Sequence, residues 1–473
     1  MRPALLLAFA LATASGPAAG EHYRLGLARE KAGDLPGAER AYADAVAADP
    51  RMAAARDRLG FVKGQQGRTE EALADFRRAA ADGPALFDPH YHLGATLWWT
   101  KDAAGAVPPL RVAVRLRPRH AESRYYLGLA LKDTGDLAGA IAELRRATAL
   151  EPRLAVAQLR LGVALQEQGD LDGAVAALRA AAAADPALAD AQNSLALALT
   201  ARGDAEEAIA VLQRLIAAHP EHVSARVNLG SALLHKGDLE GAVSLYRALV
   251  AAAPESAEAQ YNLGLALKQK DDFAGAEAAL ARAVALDPGQ ADGWYTLGVV
   301  RWQTGRAPEA VQAFRQALAA RSDHGEAQYL LGTVLRQQGE LDGALAAFKE
   351  AVRLRPDSPE AHLSLGQLLE RKGDAAGSGA ALAEAERLRA RLADRQAATF
   401  ALDAAAKLQA KGDAAGALAR LREAVRLDGD NARAHYQLGL ALRRQGQAQA
   451  ARAEFAAAQK LAPWMAPPAA GTR

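Results

Sequence analysis

The stretch 121–152, AESRYYLGLALKDTGDLAGAIAELRRATALEP, decides how the rest of the chain reads. Tyr125, Leu127 and Leu131 recur at helical spacing, so Ala121–Asp133 is predicted to form one helix. Gly135 suits a left-handed stop for that helix, and Asp136 can cap the next by accepting a backbone N–H. Leu137–Leu150 is predicted as the second helix, ended by Pro152, which cannot continue it. Gly128, Ala140 and Ala147 are small where the two helices must cross, so the antiparallel pair can pack closely.

Outward from this stretch the same pattern recurs. A Leu-Gly pair returns at one constant step, at Gly26, Gly60, Gly94, Gly128 and Gly162, then at Gly230, Gly264, Gly298, Gly332 and Gly366, with Ala196 filling the gap. The step widens once, by a short insertion, between Gly366 and Ala405, and regains its usual length at Gly439. That gives thirteen repeats over residues 19–465. The small position after the turn holds from Ala38, Ala72 and Ala106 through Ala451 and fails only at Ser378; the proline fails at Ser322, Ala390 and Gly429.

Leu127-Gly128, Gly135-Asp136, Ala140, Leu144, Ala147 and Pro152, returning at this period, resemble the tetratricopeptide repeat family. The resemblance implies an all-α fold, a right-handed superhelical solenoid of about 13 helix-turn-helix hairpins, with the first helix of each lining an inner, concave groove. It also implies a scaffold that binds a partner and carries no catalysis of its own. The expected organisation is a signal peptide over 1–20, repeats one to eleven over 21–392, an insertion over 393–397, repeats twelve and thirteen over 398–465, and a disordered tail over 466–473. Residues 380–410 hold no proline, so the second helix of repeat eleven should run long and then kink or loop near Asp394–Ala398.

Composition narrows the function. In 473 residues, 57 basic and 55 acidic side chains are interspersed to a net charge of +2, with no basic face for a nucleic acid. Cysteine is absent, which excludes disulfides, thiol catalysis and thiolate metal sites. Arg2, the apolar run Ala4–Ala14 and the small residues Ala18-Ala19-Gly20 before Glu21 read as a cleaved export signal, so the expected location is the periplasm or the exterior. That apolar run is too short to span a bilayer, and no other segment is apolar enough.

No Walker loop, HExxH, GxSxG or complete dinucleotide fingerprint is present, and no cofactor or metal is expected. Asp170-Leu171-Asp172-Gly173 matches part of a calcium loop but stands where the repeat places its hairpin turn. His90 with His92, and His219 with His222, are likewise explained by ordinary repeat positions.

The candidate partner-binding residues are therefore aromatic and amide side chains on first helices. Four positions after the glycine, Glu30, Lys132, Gln166, Thr200, Lys268, Arg336, Glu370 and Arg443 form a polar column that is expected to face solvent. Trp98 and Trp302 share that column, and Trp99 follows in the next, so all three indoles are expected to be exposed. Tyr91, Tyr125 and Tyr126 crowd around the first two; Tyr261, Tyr295 and Tyr329 accompany Trp302. Trp294 occupies the family's core position. Asn228 and Asn262 match the sites at which similar proteins grip an extended peptide backbone. The expected partner is a protein or extended peptide; polysaccharide, as in scaffolds of exopolysaccharide secretion, is the second reading. A partnership with a separate O-linked GlcNAc-type glycosyltransferase is the third.

Overall fold

The computed structural model describes residues 16–462 and Met465; the expected signal stretch before Gly16 and the expected disordered tail lie outside the described residues. The described residues hold 25 α-helices and no strand, one helix fewer than two per repeat because repeats eleven and twelve share one. The first described helix, Pro17–Lys31, includes the end of the expected signal, with Ala19 only 1% exposed.

The crossing inside each hairpin works as a notch. A methyl group at Gly128 would lie 2.7 Å from Leu144 Cγ, and one at Gly94 would lie 2.4 Å from Leu110 Cγ. The glycine thus admits a large side chain from the second helix, which in repeat four is flanked by the small, fully buried Ala140 and Ala147. At the turn, Gly135 takes a φ of 88° and the Asp136 carboxylate accepts from Gly139 N at 2.8 Å. Lys101 and Asp271 hold the same left-handed conformation without being glycine, at φ 68° and 60°.

Some first helices are capped by histidine. The Nδ1 atoms of His120 and His324 accept from Ser123 N at 3.1 Å and Ala327 N at 3.4 Å, where other repeats use Ser256 and Ser358. Protonation would destroy that acceptor and set a cation at a helix N-terminus. Burial holds both imidazoles below their ordinary value, for His324 with help from Arg321 and against the pull of Asp292, whose carboxylate stands 3.5 Å from Nε2. The folded histidines therefore stay neutral at a pH where the unfolded chain already binds protons. Their contribution to stability is complete above about pH 6.5 and is lost as pH falls through the folded values. Melting should shift downward between about pH 7.5 and about pH 5.5, and less steeply in His120→Ser/His324→Ser. An equal shift in that variant would remove these histidines as the cause.

Contacts divide the chain into two compact blocks, one through Asn228 and one from Leu229 onward, with the boundary inside the helix Val223–Lys236. Within each block the core is a chain of clusters shared by adjacent repeats. In the first block Leu73, Phe76, Leu93, Leu110 and Leu127 join repeats two to four; in the second, Phe314, Leu331, Phe348 and Leu365 join repeats nine to eleven. Each hairpin buries its neighbour's apolar flank, as in a stacked array.

The shared helix, Ala375–Ala410, is 36 residues long and on the order of 54 Å. It runs long, as expected, and corrects one alternative: residues 394–398 are helical and form no loop. Residues 380–410 hold neither Gly nor Pro and are rich in Ala, Leu and Arg, so nothing local stops the helix. Its core contacts lapse midway. Leu388 is buried before the gap and Ala398 after it, while residues 389–396 are all exposed. Phe400 stands 73% exposed at a repeat position where Ala55, Ala157, Ala327 and Ala434 are fully buried. Elsewhere a preceding second helix folds back over that position; here it runs straight on into it.

Candidate functional site

First helices of adjacent repeats meet in a fixed register within each block. Trp98 Nε1 donates to Asp133 at 2.7 Å, Trp302 Nε1 to Gln337 at 2.8 Å and Asn228 Nδ2 to Asn193 at 2.8 Å, each pair 35 residues apart. His92 Nδ1 and Asp57 Oδ1, 2.9 Å apart, keep the same offset, as does the Lys132–Glu167 ion pair at 3.0 Å. The partner lies one period plus one residue away.

This register corrects the solvent-facing assignment. The column four positions after the glycine is mostly half-buried, and Thr200 in it is buried outright. Trp98, Lys132 and Trp302 lie across the seam and bond to the next repeat's following column, at Asp133, Glu167 and Gln337. That following column, with Gln65, Trp99, Asp133, Glu167, Gln269 and Arg371, is the more open one. Trp98 and Trp302 are half-buried and packed on core clusters; Trp99 alone of the three indoles is open, at 67% exposure.

Repeats three and four bring their candidate residues together. Trp98 meets Trp99 edge-on at 5.3 Å and Tyr126 at 5.8 Å; Tyr126 meets Tyr125 at 5.2 Å and Tyr91 at 6.1 Å. Trp99 Nε1 reaches the Tyr126 hydroxyl at 3.4 Å. The Tyr91 hydroxyl donates to Glu122 at 2.8 Å, and burial together with that bond pushes its phenol well up. Burial also raises Tyr125, against Arg160 beside its hydroxyl. The five rings form one contiguous apolar surface, and Tyr91 and Tyr125 keep their phenol protons at physiological pH.

The second set is arranged differently. Tyr295 and Tyr329 lie over Phe314 and Phe348 at 6.1 and 6.0 Å, and with Trp302 they pack against the core of repeats nine to eleven. The Tyr261 hydroxyl bonds Thr296, and burial raises its phenol. These rings extend packing outward. Trp294 is half-buried and donates to Pro288 O at 3.0 Å. Asn262 is half-buried; Asn228 already commits its amide to Asn193, a residue the sequence did not single out because it stands one column away.

Asp57, 2% exposed and bonded to His92, was equally illegible, since an acid in the tyrosine column carries no known motif. His90 Nε2 is 3.2 Å from Pro84 O, and His222 accepts from Ala225 N at 3.2 Å. Among the described residues no group of three or more His, Cys, Asp or Glu could hold a metal ion, and no helix is long and apolar enough to cross a membrane.

Comparison with known proteins agrees with the repeat geometry. Tetratricopeptide repeat models match residues 23–87, 156–187 and 432–463, a TPR repeat model matches 128–169 and 408–446, and the Cilia and flagella-associated protein 70 C-terminal domain matches 188–402. The chain is a tetratricopeptide repeat protein. Among solved structures it is similar to MamA, at 27% identity over 35% of this chain and 96% of that one, with a TM-score of 0.34. YrrB, described as a TPR protein with an unusual peptide-binding site, is 22% identical over 39% of this chain and 95% of its own, with a TM-score of 0.36. PilF of Pseudomonas aeruginosa is 20% identical over 42% and 91%, with a TM-score of 0.39. A search of curated proteins returns no match.

Proposed function

We propose that this chain is a non-catalytic scaffold that holds an extended peptide or protein segment against its first helices, in the periplasm or outside the cell. The observation that carries the reading is the ring surface of repeats three and four, where Trp99 is 67% exposed beside four half-buried aromatics. An indole held open on a rigid, packed base is the kind of anchor around which binding energy concentrates. Location rests on the N-terminal signal pattern alone. Polysaccharide is the second reading, favoured by the same flat ring, which could stack on a sugar.

Panning a displayed random-peptide library against the purified protein tests the reading. Selected peptides should lose at least about tenfold in affinity against Trp99→Ala, with melting unchanged, because that ring contributes little to the core. Trp98→Ala should lower the melting temperature as well. Enrichment of no peptide, with retention on a polysaccharide column that Trp99→Ala abolishes, would reverse the order of the two readings.

A further inference from the structure

The carboxylates around the ring surface lack the arginine partner that some of their counterparts have. Near the start of several first helices stands an acid that pairs with the arginine closing the second helix of the same repeat. Asp88 pairs with Arg117 at 3.2 Å, Asp292 with Arg321 at 2.6 Å and Glu326 with Arg355 at 2.8 Å. Glu122 occupies that place in repeat four, but the residue closing its second helix is Glu151, an acid in place of the arginine. Glu122 accepts from the Tyr91 hydroxyl instead. Asp133 accepts from Trp98 Nε1, where the equivalent acceptor for Trp302 is the neutral Gln337. Among the described residues neither Glu122 nor Asp133 has a lysine or arginine at ion-pair distance; the nearby Lys132 is paired with Glu167. These two carboxylates stand at opposite ends of the helix that carries Tyr125 and Tyr126. In the second aromatic set Glu258 repeats the place of Glu122, with Asp287 closing its second helix, so what sets the first surface apart is Asp133, a carboxylate beside the indoles where the second set has the neutral Gln337.

Ring faces attract cations through their quadrupole, and neighbouring unpaired carboxylates add to that attraction. We propose that the surface formed by Trp98, Trp99, Tyr126 and Asp133 takes a cationic side chain, the guanidinium of arginine or the ammonium of lysine, from the bound peptide. The proposal rests on the peptide-scaffold reading and specifies its partner as a basic segment. The cation lies against the Trp99 indole, with Asp133 supplying charge across the same seam. Arg160, beside the Tyr125 hydroxyl, keeps that part of the surface from accepting a second cation.

The test uses a labelled arginine–serine repeat peptide and its twin with citrulline at every arginine, which keeps the shape and some of the N–H donors and removes the charge. The full chain should bind the arginine peptide at least about tenfold more tightly than the twin. Asp133→Asn, which still accepts from Trp98, should erase most of that preference without weakening the twin, while Glu122→Gln, at the far end of the same helix, should change it little. Trp99→Ala should weaken both peptides. Equal affinity for the two peptides, with both lost in Trp99→Ala, overturns the cationic assignment and leaves the scaffold reading standing. A preference that survives in Asp133→Asn also overturns it. Failure of the arginine peptide to bind at all does the same, while library panning judges the scaffold reading separately.

Discussion

Phe314→Ala should destabilise its part of the array by about 3–5 kcal/mol. The ring is fully buried, fills the notch at Gly298, where a methyl group would come within 2.7 Å of it, and supports Tyr295 from below. Its removal leaves a cavity that Gly298 cannot fill, in a cluster reaching Leu365 two repeats away. Because each hairpin touches only its neighbours, the damage should be regional. Hydrogen exchange should show protection lost in repeats nine to eleven while the helices Ala53–Gln65 to Leu137–Leu150 keep theirs. Leucine serves at the equivalent position in Leu110, Leu144, Leu178 and Leu280, so Phe314→Leu should retain most of the stability. Uniform loss of protection along the chain would mean that the array unfolds as one cooperative body.

Asp394→Pro should open the shared helix. Proline in a helix interior removes a hydrogen bond and clashes with the preceding turn, at a cost of about 3 kcal/mol or more. Elsewhere tertiary packing can resist such a change, but residues 389–396 are wholly exposed, and only Arg391–Asp430 at 2.8 Å and a looser Arg395–Asp428 contact at 3.9 Å brace them. Surface ion pairs of this kind contribute little. Trypsin should then cut at Arg389, Arg391 or Arg395 on the order of a hundredfold faster, releasing two stable fragments. Asp394→Ala should change the rate little. Rapid cutting of the unaltered chain at the same sites would show that the span is already open in solution.

The hairpins were legible in the sequence because three independent signals recur, each in most periods: glycine at the notch, glycine and aspartate at the turn, and proline at the stop. The shared helix was half legible. Missing proline announced a longer helix, but whether the exposed stretch 389–396 stays helical depends on propensity rather than pattern, and Ala, Arg and Leu decided for helix. Facing was harder. Positions four and five after the glycine both carry charged and amide residues, yet one column lies over the seam and the other faces water. A polar column looks the same whether its partner is solvent or the neighbouring repeat, so Trp98 and Trp302 were expected to be as open as Trp99. Histidine caps and the Asp57–His92 pair left no trace because neither residue type is usual at its position. The ring cluster of repeats three and four was visible as a crowding of aromatics; that its indole meets the carboxylate of Asp133, where Trp302 meets the neutral Gln337, emerged only from the seam contacts.

An offset of one period plus one residue has a bearing on how such a chain can change length. Splicing in or excising one whole period anywhere within a regular stretch leaves each surviving side chain facing a residue at the same place in the motif as before. Duplication can therefore add hairpins one at a time without redesigning a seam. At Ala375–Ala410 the surplus residues of the insertion put any such cut out of phase, so this joint is inherited whole or lost whole.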